Sequence, residues 1–130
     1  MLFRSALATL DVLEREGVSN AELVGRHIMQ RINAWPEALP LVGDVRGRGL
    51  MIGVELVADK KTKEPAVEER DRVVQMAFEK GVLLLGAGPN TIRIAPPLIV
   101  SREQADIALD VLEECIREVG KRRDASVPVM

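Results

Sequence analysis

Pro96 and Pro97 stand immediately after the alternating stretch Thr91-Ile92-Arg93-Ile94-Ala95, and no other feature of the chain constrains the fold as tightly. Two consecutive prolines remove two backbone donors, so a sheet ladder that reaches Ala95 has to stop there. The two-residue period before them puts Ile92 and Ile94 on one face of a strand and Arg93 on the other. A guanidinium keeps its charge at any physiological pH and presents a planar donor fork, so at a strand tip it requires a bidentate anion or open water. Both readings stand at this point: a binding arginine, or an edge-strand arginine that faces solvent.

The remaining segments are arranged around that strand. Leu2, Phe3, Leu7, Leu10 and Leu13 recur at helical spacing, with Gly17 as the expected C-cap. A helix that starts at Met1 with no N-cap reads as one cut from a longer protein. Ser19 or Asn20 is the expected cap of a second helix with Leu23, Val24, Ile28 and Ile32 on its apolar face, and Trp35, Pro36 and Pro40 turn the chain after it. Gly43, Gly47 and Gly49 precede a strand rather than a helix and lack the lysine and hydroxyl of a phosphate loop, so they read as a bulge or close crossing between strands. Leu50, Ile52, Val54 and Leu56 then share one strand face, and Met51, Gly53, Glu55 and Val57 the other.

Asp59 to Pro65 is a polar turn. Val67, Arg70, Val73, Val74, Ala77 and Phe78 form a helix stripe that Gly81 ends. Val82 to Leu85 reads as a short strand covered on both faces, and Gly86 to Asn90 as the turn into the Arg93 strand. Ser101 with Gln104 is a capping box, opening a last helix that Gly120 is expected to close, with 124–130 as a tail. The pattern predicts an α+β fold: a small, mostly antiparallel sheet with helices packed on one face.

With 130 residues, 47% of them hydrophobic, the chain can close one core. Its formal net charge of −2 and three aromatic residues leave no field or stacking platform for nucleic acid. No apolar run reaches the length of a membrane span, and the single Cys115, at core spacing, excludes an internal disulfide and suits a reducing cytoplasm. His27 lies beside a helix face with no second ligand at metal spacing, so it reads as a packing residue. Lys60, Lys61, Lys63, Lys80 and Lys121 all fall in polar loops or at helix ends, none in the dry setting that lowers a lysine pKa. Glu55 is either a carboxylate to watch or a partner for Arg46 or Arg48. No catalytic residue and no metal site is assigned to this chain, and on its own it is expected to catalyse nothing.

Four segments nevertheless fall into a recognisable order: Val42 to Val57 (VGDVRGRGLMIGVELV), Thr62 to Ala66 (TKEPA), Gly81 to Leu85 (GVLLL) and Ile92 to Asp106 (IRIAPPLIVSREQAD). Together they resemble the C-terminal domain of class III pyridoxal-phosphate aminotransferases, with a lean toward the 4-aminobutyrate aminotransferase branch. Ala6 to Glu14 is similar to the helix that enters that domain, whereas Met1 to Ser5 departs from the family pattern and is compatible with a cloning junction, a divergent start or a truncated gene.

The resemblance implies residues 1–123 as one small domain, with 1–33 as its entering helices. It implies a cytoplasmic homodimer in which pyridoxal phosphate is held by a lysine of a separate N-terminal domain, and none by this chain. Arg93 would then bind a carboxylate of the amino-acid donor or the 2-oxo acid acceptor, while the small domain closes over the substrate. Two rival expectations from other classes are a free-standing module that binds small carboxylates through Arg93 and a self-associating domain that dimerises through an uncovered sheet face.

Overall fold

The computed structural model describes residues 2–126. Helix α1 (Leu2–Val12) runs through one π-helical turn, Leu13–Gly17, directly into α2 (Val18–Ile32). The expected break is therefore absent. Gly17 keeps right-handed helical angles, φ −63° and ψ −45°, so it caps nothing, and Ser19 and Asn20 lie inside α2. A π-turn accommodates one extra residue within a helix, so a segment rich in cap formers continues instead of stopping. Helix α1 buries none of its side chains, and Leu2 and Phe3 are each 85% exposed. Helix α2 behaves differently: Val24, Gly25, Ile28 and Ile32 are buried.

A short helix, α3 (Trp35–Ala38), carries Pro36 in its first turn, where a missing amide donor costs nothing, and buries Trp35. The chain then forms the hairpin of β1 (Val42–Arg48) and β2 (Met51–Leu56). The register slips between Val42 and Asp44, so Gly43 supplies the expected bulge, and Gly49 makes the turn at φ +56°. Helix α4 (Val67–Glu79) follows the polar turn, and Gly81 leaves it in the left-handed region at φ +88°. Strands β3 (Leu85–Ala87) and β4 (Thr91–Ile94) form a second hairpin, and α5 (Arg102–Ser126) closes the chain.

The sheet order is β1-β2-β4-β3 with every neighbouring pair antiparallel, so the fold is the small antiparallel α+β layer expected. Ile52, Val54 and Leu56 of β2 and Ile92 and Ile94 of β4 are buried in one core with Ile28 of α2, Val73 of α4 and Leu112 of α5. Packing three amphipathic helices on a single sheet face accounts for the strict alternation along both central strands. The opposite face carries Asp44, Arg46, Met51, Gly53, Glu55 and Arg93, all exposed or half-buried.

Ser101 and Gln104 make the reciprocal capping pair: Gln104 N–H donates to Ser101 Oγ at 3.1 Å and Ser101 N–H to Gln104 Oε1 at 3.0 Å. Three further expectations fail. Helix α5 continues through Gly120 to Ser126, taking in the start of the expected tail, and residues 127–130 lie outside the described residues. Gly120 lies inside the helix, and a Cβ there would meet Leu41 Cδ1 at 3.6 Å, an ordinary contact distance. The third strand begins at Leu85, and Leu83 and Leu85 are exposed, because β3 pairs only with Thr91 to Arg93 at a free sheet edge. Phe78 is also 61% exposed, at the solvent end of the α4 stripe.

Candidate functional site

Arg93 sits in the middle of the two-sided ladder that β4 makes with β2 and β3. Its cross-strand neighbours are Gly53 on one side and Leu85 on the other. The strand is anchored at its start by the buried Asn90, whose Nδ2 donates to Leu56 O at 2.6 Å while its own carbonyl accepts from Leu56 N–H at 2.8 Å. With backbone and turn both fixed, the position of Arg93 Cα is set by the core rather than by solvent-exposed contacts.

The side chain is exposed and, among the described residues, makes no ion pair or side-chain hydrogen bond. The acid that shares its face is already engaged: Glu55 accepts from Arg46 Nη1 at 2.8 Å, and Asp44 accepts from the same nitrogen at 2.9 Å. Those two carboxylates hold the Arg46 guanidinium in its charged form, raising its pKa. Glu55 thus resolves as the partner of Arg46. Gly53 separates the two arginines in the same row of the sheet, leaving the flank of Arg93 without a side chain.

Beside Arg93 lies an open cleft of about 360 Å³, walled by Leu83, Leu84, Ile94, Pro96 and Pro97 and closed below by Ala108 of α5. One free cation in a mostly apolar hollow of this size is the arrangement that captures the carboxylate of a small organic molecule. A larger hollow, about 510 Å³, lies between α4 and α5, but its rim carries Asp71 and Glu79 beside Arg72 and Arg122. Mixed charge gives a carboxylate no net attraction there. Sequence reasoning picked out Arg93 but not its surroundings. The glycine on the neighbouring strand was legible only as a gap in the alternation, and the prolines read as a stop signal rather than as walls.

Other residues singled out from the sequence lie elsewhere. His27 Nε2 is 2.8 Å from Asp106 Oδ1, and Arg31 Nη1 donates to the same oxygen at 3.0 Å and to Asp106 O at 3.1 Å; Arg31 also pairs with Asp110. His27 is therefore part of a polar seam joining α2 to α5. Hydrogen bonds first from His27 and then from Arg31 hold the Asp106 carboxyl below the ordinary carboxylate range. A depressed carboxylate contributes stability that is complete above its unfolded value, near pH 4, and is lost as pH falls through the folded value. Asp106→Asn is accordingly expected to be less stable than the wild type at pH 6, with the difference shrinking below pH ~4; urea titrations at both pH values check this. Cys115 is fully buried, and burial raises its thiol pKa, which suits packing rather than nucleophilic work.

All five lysines are exposed. Lys60 donates to Pro36 O and Lys63 to Gly43 O, and Lys80 is paired with Glu114 at 2.7 Å, which raises its pKa rather than lowering it. These lysines do not fit a covalent site for pyridoxal phosphate.

The profile of the family described as aminotransferase class III matches residues 4–116. The chain belongs to the class III aminotransferases. As a class III member it is 42% identical over 121 residues to a leucine/methionine racemase of Thermococcus litoralis, covering 92% of this chain and 27% of that protein. It is 35% identical over 116 residues to a probable 4-aminobutyrate aminotransferase of Bacillus subtilis, covering 87% of this chain and 27% of that one. Among solved structures, an amine transaminase from an uncultivated Pseudomonas species in its PLP-bound form superposes with a TM-score of 0.80 at 36% identity, over 88% of this chain and 27% of that one. This class III chain thus spans about a quarter of the length of the relatives it matches. The parent family is one of pyridoxal-phosphate enzymes. The 4-aminobutyrate branch is one of several that the relatives represent, racemases among them.

Proposed function

We propose that this chain is the substrate-closing C-terminal domain of a class III pyridoxal-phosphate enzyme, and that Arg93 grips a carboxylate of its substrate. The observation that carries this reading is the unpaired Arg93 guanidinium, on the open sheet face, beside a mostly apolar cleft at the β3 edge of the sheet. Two parallel N–H donors on a carboxylate fix the orientation of the molecule as well as its position, and excluding water strengthens both bonds. The cofactor supplies the electron sink for amine chemistry, and residues outside this chain hold it. Residues 1–123 act as one domain, entered through 1–33, and the exposed stripe of α1 and the open sheet face are covered by the cofactor domain of the same protein. The complete enzyme works as a homodimer in the reducing cytoplasm that a buried, free Cys115 suits.

The natural substrate is an amine that carries a carboxylate. Leucine, methionine and 4-aminobutyrate share that chemistry, and those names occur among the relatives. Transfer of the amino group from a 4-aminobutyrate-like donor to a 2-oxo acid is the reaction proposed. Racemisation is the second reading, favoured by the 42% identity to a racemase. The two separate in one assay: transfer requires an added 2-oxo acid and yields a new amino acid, whereas racemisation changes optical rotation with no acceptor. The isolated 130-residue chain is expected to show neither activity with added pyridoxal phosphate, and the chain extended upstream through its cofactor domain to show one of them. Turnover by the 130 residues alone would overturn the proposal.

A further inference from the structure

Asn20 was expected to cap a helix, yet it lies inside α2 with its side chain committed to a distant segment. Its Nδ2 donates to Leu98 O at 2.6 Å and to Val100 O at 3.0 Å, across 78 and 80 residues of sequence. One primary amide carries two donor hydrogens, so both are used. One turn earlier Gly17 lies beside the same segment: a Cβ there would meet Leu98 Cδ1 at 3.7 Å, an ordinary contact distance.

The segment that Asn20 holds has little else to fix it. Pro96 and Pro97 have no amide donor, and the segment's own turn contributes Val100 N–H to Pro97 O at 3.0 Å. Leu98 and Ile99 are exposed, and of the segment's apolar side chains Val100 alone packs against the core, at the end next to α5. At its far end the Ser101–Gln104 capping pair fastens the chain to α5. Pro96 and Pro97 are also walls of the Arg93 cleft. The segment is therefore a strap, pinned by β4 at one end and by Val100 and α5 at the other, whose middle is tied to α2 by the Asn20 side chain.

We infer that Asn20 is a positioning residue for the substrate: by holding the carbonyls of Leu98 and Val100 it keeps the proline wall at the distance from Arg93 that a carboxylate-bearing substrate requires. This rests on the proposed role of Arg93. Asn20 touches no reacting atom and acts through the strap. Its donor, not its size, is the active feature, so Asn20→Asp, of the same shape, both removes the donor and sets a negative charge against two carbonyl oxygens.

The test uses the complete enzyme with two amines, one bearing a carboxylate and one lacking it. Asn20→Asp is expected to raise KM about tenfold for the carboxylate-bearing amine, with kcat and the other amine's KM changed less than about twofold. Hydrogen exchange of the Val100 amide is expected to quicken by about tenfold in the same variant. Asn20→Ser, which retains one donor, should fall between Asn20→Asp and the wild type in both readouts. Unchanged exchange in Asn20→Asp, or equal losses on the two amines, overturns the inference. Arg93→Gln is run in parallel: if it discriminates between the two amines while Asn20→Asp does not, the role of Asn20 falls and that of Arg93 survives. If Arg93→Gln itself fails to discriminate, the carboxylate reading falls first and takes the role of Asn20 with it.

Discussion

Arg93→Gln is expected to raise the KM of the complete enzyme for a carboxylate-bearing amine by about a hundredfold, with the largest loss of any substitution at the cleft. A bidentate guanidinium–carboxylate pair combines two charge-assisted bonds, and losing it costs about 3 kcal/mol, or two factors of ten. Glutamine keeps a polar N–H donor but is shorter and carries neither the charge nor the fork. Arg93→Lys retains the charge alone and should lose about tenfold, because a point ammonium cannot match two carboxylate oxygens at once. An amine without a carboxylate should be indifferent to both changes. Since Arg93 is exposed and unpaired, removing it leaves no buried acid behind, so the fold should be unaffected and the loss confined to binding. Steady-state kinetics with the two amines, alongside melting temperatures of the variants, decides the matter: equal losses on both would sink the role.

The second large effect concerns two glycines on helices, where one substitution has opposite signs. Gly25 of α2 faces the turn of the first hairpin, and a Cβ there would fall 2.1 Å from Gly49 O and 2.4 Å from Gly49 C. Both are backbone atoms of a turn whose glycine is held at φ +56°, so neither can rotate away as a side chain would. Overlap of this kind costs about 3 kcal/mol or more, and the better helix propensity of alanine returns only about 1. Gly25→Ala is therefore expected to lose about 2 kcal/mol, or roughly 8 °C in melting temperature. Gly120 of α5 meets Leu41 at ordinary contact distance, so Gly120→Ala should gain about 0.5–1 kcal/mol from propensity alone. Urea unfolding of both variants checks the pair. A neutral Gly25→Ala would mean that the hairpin turn does not rest on α2.

The parts of this fold that could be read from the sequence are those in which one local rule acts alone. Alternation through Ile52, Val54 and Leu56 marks a half-buried strand because a single sheet face meets the helices. Ser101 and Gln104 cap a helix because both partners lie within one turn. Asn20 was misread because its amide serves a distant contact, reaching the strap, and Gly120 because α5 continues through it to Ser126. The apolar run Val82 to Leu85 implied burial, but its leucines form the lip of a cleft, and hydrophobicity does not distinguish a core position from an open edge. Arg93 was legible because a cation amid isoleucines is chemically conspicuous. Its isolation was not, since the pairing of Glu55 with Arg46 depends on strand register.

The π-turn at Leu13–Gly17 puts the two ends of one continuous helix out of phase. A turn that takes in one extra residue shifts the sequence rows that follow it by about 100°, so the leucines of α1 and the inward-facing row of Val24, Ile28 and Ile32 do not share one side. A single rod thus presents two apolar bearings, one seated on the sheet and the other left bare along its first three turns.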